Sequence, residues 1–203
     1  SLPYYKEENA GRYENYQAAH PNCSWPDVVT QVNIGLDHSF YTGAEPAAKP
    51  ESYGVLVNKY HSLNSSYLPQ DLQPISSGQK LRGAAKTAFE TMCADAAKQN
   101  LTIKAISAYR SYYTQDRLYY SKVDANDPAA QEERNKFSAK AGYSEHQLGL
   151  AVDVTSLTEN LDQTAAFKWY SQNAHKYGFI IRYPKEKETI TGAEMVAIIQ
   201  GRD

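Results

Sequence analysis

The sequence predicts an α+β fold, and three observations carry that expectation. Leu81, Ala85, Ala88, Phe89, Met92 and Ala96 recur at steps of three and four, which lines one face of a helix with apolar side chains. LTIKAISAYRS (101–111) and LAVDV (150–154) alternate apolar and polar, the period of a half-buried strand. Helical and strand patterns do not alternate strictly along the chain, which disfavours a doubly wound parallel sheet.

Residues 1–50 read as a mostly polar N-terminal arm. RYENYQAAH suggests a short helix, and Trp25-Pro26-Asp27 opens a second through VVTQVNIGL, with Ser24 or Asp27 as its cap. TGAEPAAKPES (42–52) is a Pro/Ala/Gly-rich loop, so the boundary between arm (1–50) and core domain (51–203) is placed there. GVLVNKYHSL is a short apolar run followed by the turn-rich SYLPQDLQPISSGQK. A helix then starts near Leu81, with Cys93 beside its stripe as a small core residue. Thr114 to Lys140 is polar and helix-prone, broken at Asp127-Pro128. A further helix runs from about Thr164 to Lys176, with Ala166, Trp169, Tyr170 and Asn173 on one face and Gly178 just past its end. FIIRYP reads as a strand that Pro184 stops.

Bulk properties exclude several classes. With 203 residues, a net charge of −2 and a pI near 6.2, the chain lacks the basic surplus with which nucleic-acid binders neutralise phosphates. It contains no run of 18 apolar residues. SLPYYKEENAGRYENY has no apolar signal core, so an export signal is expected to have been removed upstream of Ser1. Tyrosine is over-used, 17 against 5 Phe and 2 Trp, which suits contact with sugars or hydrated peptides but fits a Tyr-rich surface equally. Cys23 and Cys93 could form one disulfide or none, and no CxxC pair offers a thiolate zinc site.

The chemistry concentrates in GYSEHQLGLAVDV (142–154). As a strand, LAVDV sends Leu150, Val152 and Val154 to one face and Ala151 with Asp153 to the other. A carboxylate on the inner part of a sheet is costly unless it is paired or bound to a metal. Strict alternation would put His146 and Asp153 on opposite faces, so convergence requires a bend, for which Gly149 is available. With that bend, an imidazole nitrogen and a carboxylate oxygen could meet on zinc at about 2.0–2.2 Å. Spacing alone reads equally well as a hydrogen-bonded structural couple. A Ser144/His146/Asp153 hydrolase triad is disfavoured: there is no G-x-S-x-G elbow, and Ser144 lies too close in sequence to its base.

The full string Ser144-x-His146-x-x-Gly149-x-Ala151-x-Asp153 resembles the S-x-H-x-x-G-x-A-x-D pattern of the zinc D-alanyl-D-alanine carboxypeptidases, LAS-type metallopeptidases that trim peptidoglycan stem peptides. NIGLDHSFYT, LVNKYHSL, ISAYRSYYTQ and NAHKYGFIIRYPKEKETITG look like the Gram-positive branch of that family, so the likeness spans about residues 10 to 192. It implies a small central antiparallel sheet flanked by helices, the D,D-peptidase/hedgehog-like arrangement. By the same resemblance His146 and Asp153 are ligands of Zn2+ and Arg110 stabilises the charge of the tetrahedral intermediate. Ser144 and Gln115 hold the substrate peptide and its terminal carboxylate, and Tyr109 and Tyr143 wall the cleft. The implied partner is a peptidoglycan stem peptide ending in D-alanine, met by a monomer at the extracellular face of the cell envelope.

One element departs from the pattern. In the family a Glu-Pro-Trp-His element soon after the TG supplies the base and the third ligand. In this register Val196, Ala197, Ile198 and Ile199 stand there, and none of them ionises or binds zinc. Glu194 is two positions short of the expected base, and His20, His38, His61 and His175 read as structural or surface residues. Two expectations follow: a zinc carboxypeptidase crippled in this chain, or a non-catalytic peptidoglycan-binding or regulatory module on the same fold.

Overall fold

A computed structural model describes residues 2–33, 35–135, 138–154, 164–181 and 197–199. The arm opens with α1 (Ala10–Ala19) and α2 (Trp25–Asn33). Ser24 caps α2, its Oγ accepting from the Asp27 N–H at 3.3 Å and donating to the Asp27 carboxylate at 2.6 Å. The two helices bury Tyr13, Val28, Val29 and Val32 in a small core of their own.

Strand β1 (Glu45–Pro46) follows and pairs in parallel with β2 (His61–Ser62). An antiparallel hairpin of β3 (Leu72–Pro74) and β4 (Lys80–Arg82) leads into α3 (Gly83–Ala97). The helix therefore begins two residues later than its apolar stripe suggests. Leu81 belongs to that stripe in burial but to β4 in backbone, because Gln73 pairs with it across the hairpin. Ala85, Phe89, Met92 and Ala96 are buried as expected.

β5 (Ala105–Ser107), α4 (Tyr112–Tyr120) and α5 (Pro128–Asn135) come next. The Asp-Pro break is a helix start: the Asp127 carboxylate accepts from the Ala130 N–H at 3.0 Å, and Pro128 occupies the first turn. A 3₁₀ turn at Glu145–Leu148 precedes β6 (Ala151–Val154). Then come α6 (Ala165–Asn173), capped by Thr164, and a 3₁₀ turn that Gly178 ends at φ +82°. β7 (Phe179–Ile181) and β8 (Ala197–Ile199) complete the sheet, whereas Pro184 and Glu194 lie outside the described residues.

The central sheet has the order β5-β6-β8-β7, antiparallel throughout. Helix α3 lies against it, with Phe89 6.1 Å from Phe179 between ring centroids. This is the small antiparallel sheet with flanking helices that the sequence predicts. Cys23 and Cys93 are both free, and Cys93 packs against the main core, where burial pushes its thiol up to about 11. No helix among the described residues is long and apolar enough to cross a membrane.

Candidate metal and peptide site

The site lies where β5 and β6 run side by side. Ser107 of β5 stands opposite Asp153 of β6, with a register irregularity between Ala105 and Ser107. Just beyond β5, the Tyr109 N–H bonds the Lys80 carbonyl (2.9 Å) and the Arg110 N–H bonds the His146 carbonyl (3.1 Å). Arg110 is thereby fixed by its backbone against the turn that carries the histidine. Ser111 then caps α4, its Oγ accepting from the Thr114 N–H, so the helix begins at once and brings Gln115 back beside Arg110.

The bend that the motif requires is present. Glu145–Leu148 makes one 3₁₀ turn and Gly149 reverses it at φ +67°, the left-handed region that glycine enters without a Cβ clash. A Cβ there would stand 2.6 Å from Leu72 Cδ2 and 3.2 Å from Arg82 Cγ. Arg82 supports this turn from beneath: its N–H bonds the Gly149 carbonyl, its Nε bonds Asp71 at 2.8 Å, and its guanidinium lies over the Tyr53 ring. After the bend Leu150, Val152 and Val154 are buried in the core, Ala151 is fully covered, and Asp153 is partly open.

His146 is 3% exposed, and its Nδ1 donates to the Ala108 carbonyl at 2.6 Å. A carbonyl only accepts, so that bond keeps the proton on Nδ1 and leaves the Nε2 lone pair bare in the neutral ring. Nε2 is buried without a hydrogen-bond partner and faces Asp153 Oδ1 at 3.4 Å. A second ring proton would make the two an ion pair, whereas the neutral ring leaves two acceptors facing each other, which suits a metal ion between them. The separation agrees with that reading, since two ligands about 2.1 Å from a tetrahedral zinc are about 3.4 Å apart. The other carboxylate oxygen, Asp153 Oδ2, is 3.7 Å from Arg110 NH2. His146 and Asp153 thus fit two positions of a zinc shell. Among the described residues no group of three or more His, Cys, Asp and Glu side chains converges, so the third position is not supplied by them.

The remaining sequence-predicted residues surround this pair. Ser144 is buried at the start of the 3₁₀ turn, and Gln115, 2% exposed, accepts from Arg110 NH1 at 2.9 Å. Tyr143 is half-buried and meets the edge of Tyr41. The Tyr109 phenol has its pKa raised by burial. Sequence reading missed Tyr41, the Ala108 carbonyl and the Arg82–Asp71 support, because none of them belongs to the motif or shares a periodicity with it.

Comparison with known proteins identifies the family. The family model described as VanY, D-alanyl-D-alanine carboxypeptidase, matches residues 78–196, more than half of the chain. The chain belongs to the VanY family of D-alanyl-D-alanine carboxypeptidases. YodJ of Bacillus subtilis (strain 168) is 38% identical over 167 residues, covering 75% of this chain, and the chain spans only 60% of that relative's length. The solved structure of the LdcB LD-carboxypeptidase superposes with a TM-score of 0.70 at 35% identity, over 79% of this chain and 82% of that one. A point mutant of the VanY D,D-pentapeptidase from the VanB-type resistance cassette, solved in complex with Zn(II), superposes at 0.60 with 27% identity, over 72% and 86%. The family is therefore the one the S-x-H-x-x-G-x-A-x-D string implies, the Gram-positive branch the one the flanking segments imply, and the α+β fold the one the periodicities predict.

Proposed function

We propose that this domain is a zinc-dependent carboxypeptidase that removes a C-terminal D-alanine from peptidoglycan stem peptides on the outer side of the cell envelope. The observation that carries the reading is the buried, unpartnered His146 Nε2 facing Asp153 at 3.4 Å, inside a VanY-family fold. His146 and Asp153 would hold the ion, which when bound acts as a Lewis acid and lowers the pKa of water toward about 7. The chain's own residues do the rest. Asp153 orients Arg110, and the guanidinium stands where it can stabilise negative charge on the scissile carbonyl oxygen. Ser144 lines the peptide side of the cleft, and Tyr109 and Tyr143 offer flat walls. Gln115, buried with both ends of its amide engaged by Arg110 and Ala139, braces the arginine rather than holding the peptide. Ala108 holds the imidazole in one tautomer, so one nitrogen alone faces the metal.

A second reading rests on a specific observation: the described residues provide two metal-capable side chains at this site, and Ala197–Ile199 form β8 where the family's catalytic element is expected. On that reading the domain binds cell-wall peptide without cutting it. One experiment separates the two. Zinc per chain is measured by elemental analysis, and D-alanine release is followed from a pentapeptide ending in D-Ala-D-Ala and from the tetrapeptide. Zinc-dependent release that His146→Ala abolishes supports the enzyme. Retention on purified cell wall without release supports the binding module, and failure of both assays removes both readings.

A further inference from the structure

The peptide group between Ala139 and Lys140 is held at both ends. Its carbonyl accepts from Gln115 Nε2 at 2.7 Å, and its N–H donates to the Tyr41 hydroxyl at 2.9 Å. A peptide group is a rigid plane, so fixing its oxygen and its hydrogen fixes the whole unit. Gln115 continues the chain in the other direction, because its Oε1 accepts from Arg110 NH1. The bonds run head to tail: guanidinium to amide, amide to peptide, peptide to phenol. Each donor is polarised by the acceptor it also carries, which strengthens such chains in a poorly solvated setting.

Tyr41 is built for this place. It belongs to the arm and reaches a partner 99 residues away. Its ring stands edge-on to Tyr143 at 4.7 Å, beside Ser144, and the Lys140 ammonium lies 5.4 Å from its centre. Its backbone sits at φ +68°, a strained conformation for a non-glycine residue that persists where surrounding contacts over-determine it. The amide of Gln115 is equally committed, at 2% exposure and with both ends engaged by the protein.

We propose that Tyr41 is a positioning residue for Arg110, acting through the Ala139–Lys140 peptide and Gln115. The arm thereby becomes part of the site's framework. This takes from the proposed function only the role of Arg110, and its first test needs no turnover.

In the full chain, Tyr41→Phe keeps the ring against Tyr143 and removes the acceptor. The Lys140 amide should then exchange about fivefold faster, the effect of one lost hydrogen bond, and the Arg110 Nε–Hε resonance should move. Gln115→Met should accelerate the same Lys140 amide although Tyr41 is untouched. Gln115→Glu loses the donor to Ala139 but sets a carboxylate on Arg110, so its readout is the Lys140 amide, which should also exchange faster, and it serves if Tyr41→Phe folds poorly. An Arg110 resonance that ignores Tyr41→Phe, or a Lys140 amide that ignores both Gln115→Met and Gln115→Glu, would overturn the proposal. If the wild type releases D-alanine, Tyr41→Phe should lower kcat about fivefold at unchanged KM, and an unchanged kcat would equally overturn it. If the wild type releases none, the catalytic reading falls while the exchange and resonance data still decide the brace.

Discussion

The α1–α2 part of the arm and the body of the domain bury their apolar residues in separate clusters and hold together by different means. In the body, Leu81, Phe89, Met92, Leu150, Val152 and Phe179 form one continuous core between α3 and the sheet. Among the described apolar residues of the arm only Tyr13, Val28, Val29 and Val32 are fully covered, and polar bonds make up the difference. Arg12 grips both oxygens of Asp37 at 2.7 Å and also bonds the Val32 carbonyl. The Tyr13 and Tyr16 hydroxyls donate to Asn33 and Gln31, each at 2.7 Å. A cluster of four cannot bury enough area to offset chain entropy by itself, so directional bonds carry a larger share there. The body should therefore be most sensitive to lost methylenes, and the arm to lost charge.

The largest effect tests the body. Phe89→Ala removes a 2%-exposed ring and should cost about 3–5 kcal/mol in denaturant unfolding. Gly149→Ala should cost about 2–4 kcal/mol, from a strained left-handed residue together with the clash on Leu72 and Arg82. A cost below about 1 kcal/mol would show that β3 and β4 yield easily beneath the motif. Val29→Ala in the arm should cost about 2 kcal/mol, seen first as faster exchange in α1 and α2. Equal loss of protection across α3 would show instead that arm and body unfold as one unit, erasing the contrast.

Acid should test the charged pairs of both regions. Burial alone would raise the Asp37 pKa, but the hydrogen bonds and charge of Arg12 outweigh it and hold the carboxyl below its usual value. A carboxyl depressed in the folded state contributes stability that is fully present above the unfolded pKa, about 4, and lost as pH falls through the folded one. The arm helices should therefore loosen below about pH 4, as should the Arg82–Asp71 support in the body, whose carboxyl is held low in the same way. Arg12→Met should remove the arm's share of the acid transition in a circular dichroism titration. The smallest effect is Ser24→Ala, about 1 kcal/mol confined to the start of α2.

What the sequence revealed was local. The stripe of α3, the cap at Ser24, the stop at Gly178 and the bend at Gly149 each follow from residues within one or two turns of each other. His146 and Asp153 were legible as a pair because one motif holds both. The start of α3 was misread because Leu81 has the burial of a helix position and the hydrogen bonding of a strand, and periodicity registers only the first. Long-range bonds from a side chain to a distant backbone leave no periodic trace. The Ala108 carbonyl that sets the histidine tautomer lies 38 residues away, and Tyr41 lies 99 from its peptide. The third metal donor was sought at 196–199; Val196 lies outside the described residues, and the backbone of 197–199 is a central strand.

The position of that strand has a consequence for synthesis. β8 lies between β6 and β7, pairing Ile198 with both Ala151 and Ile180, although it follows both in sequence. While the chain emerges from the ribosome, β6 presents an open edge beside the motif until residues 197–199 follow. The two-donor site and the helices around it are thus made before the strand that closes the sheet, and a nascent chain stalled short of residue 197 should carry an unpaired β6 edge open to any extended peptide.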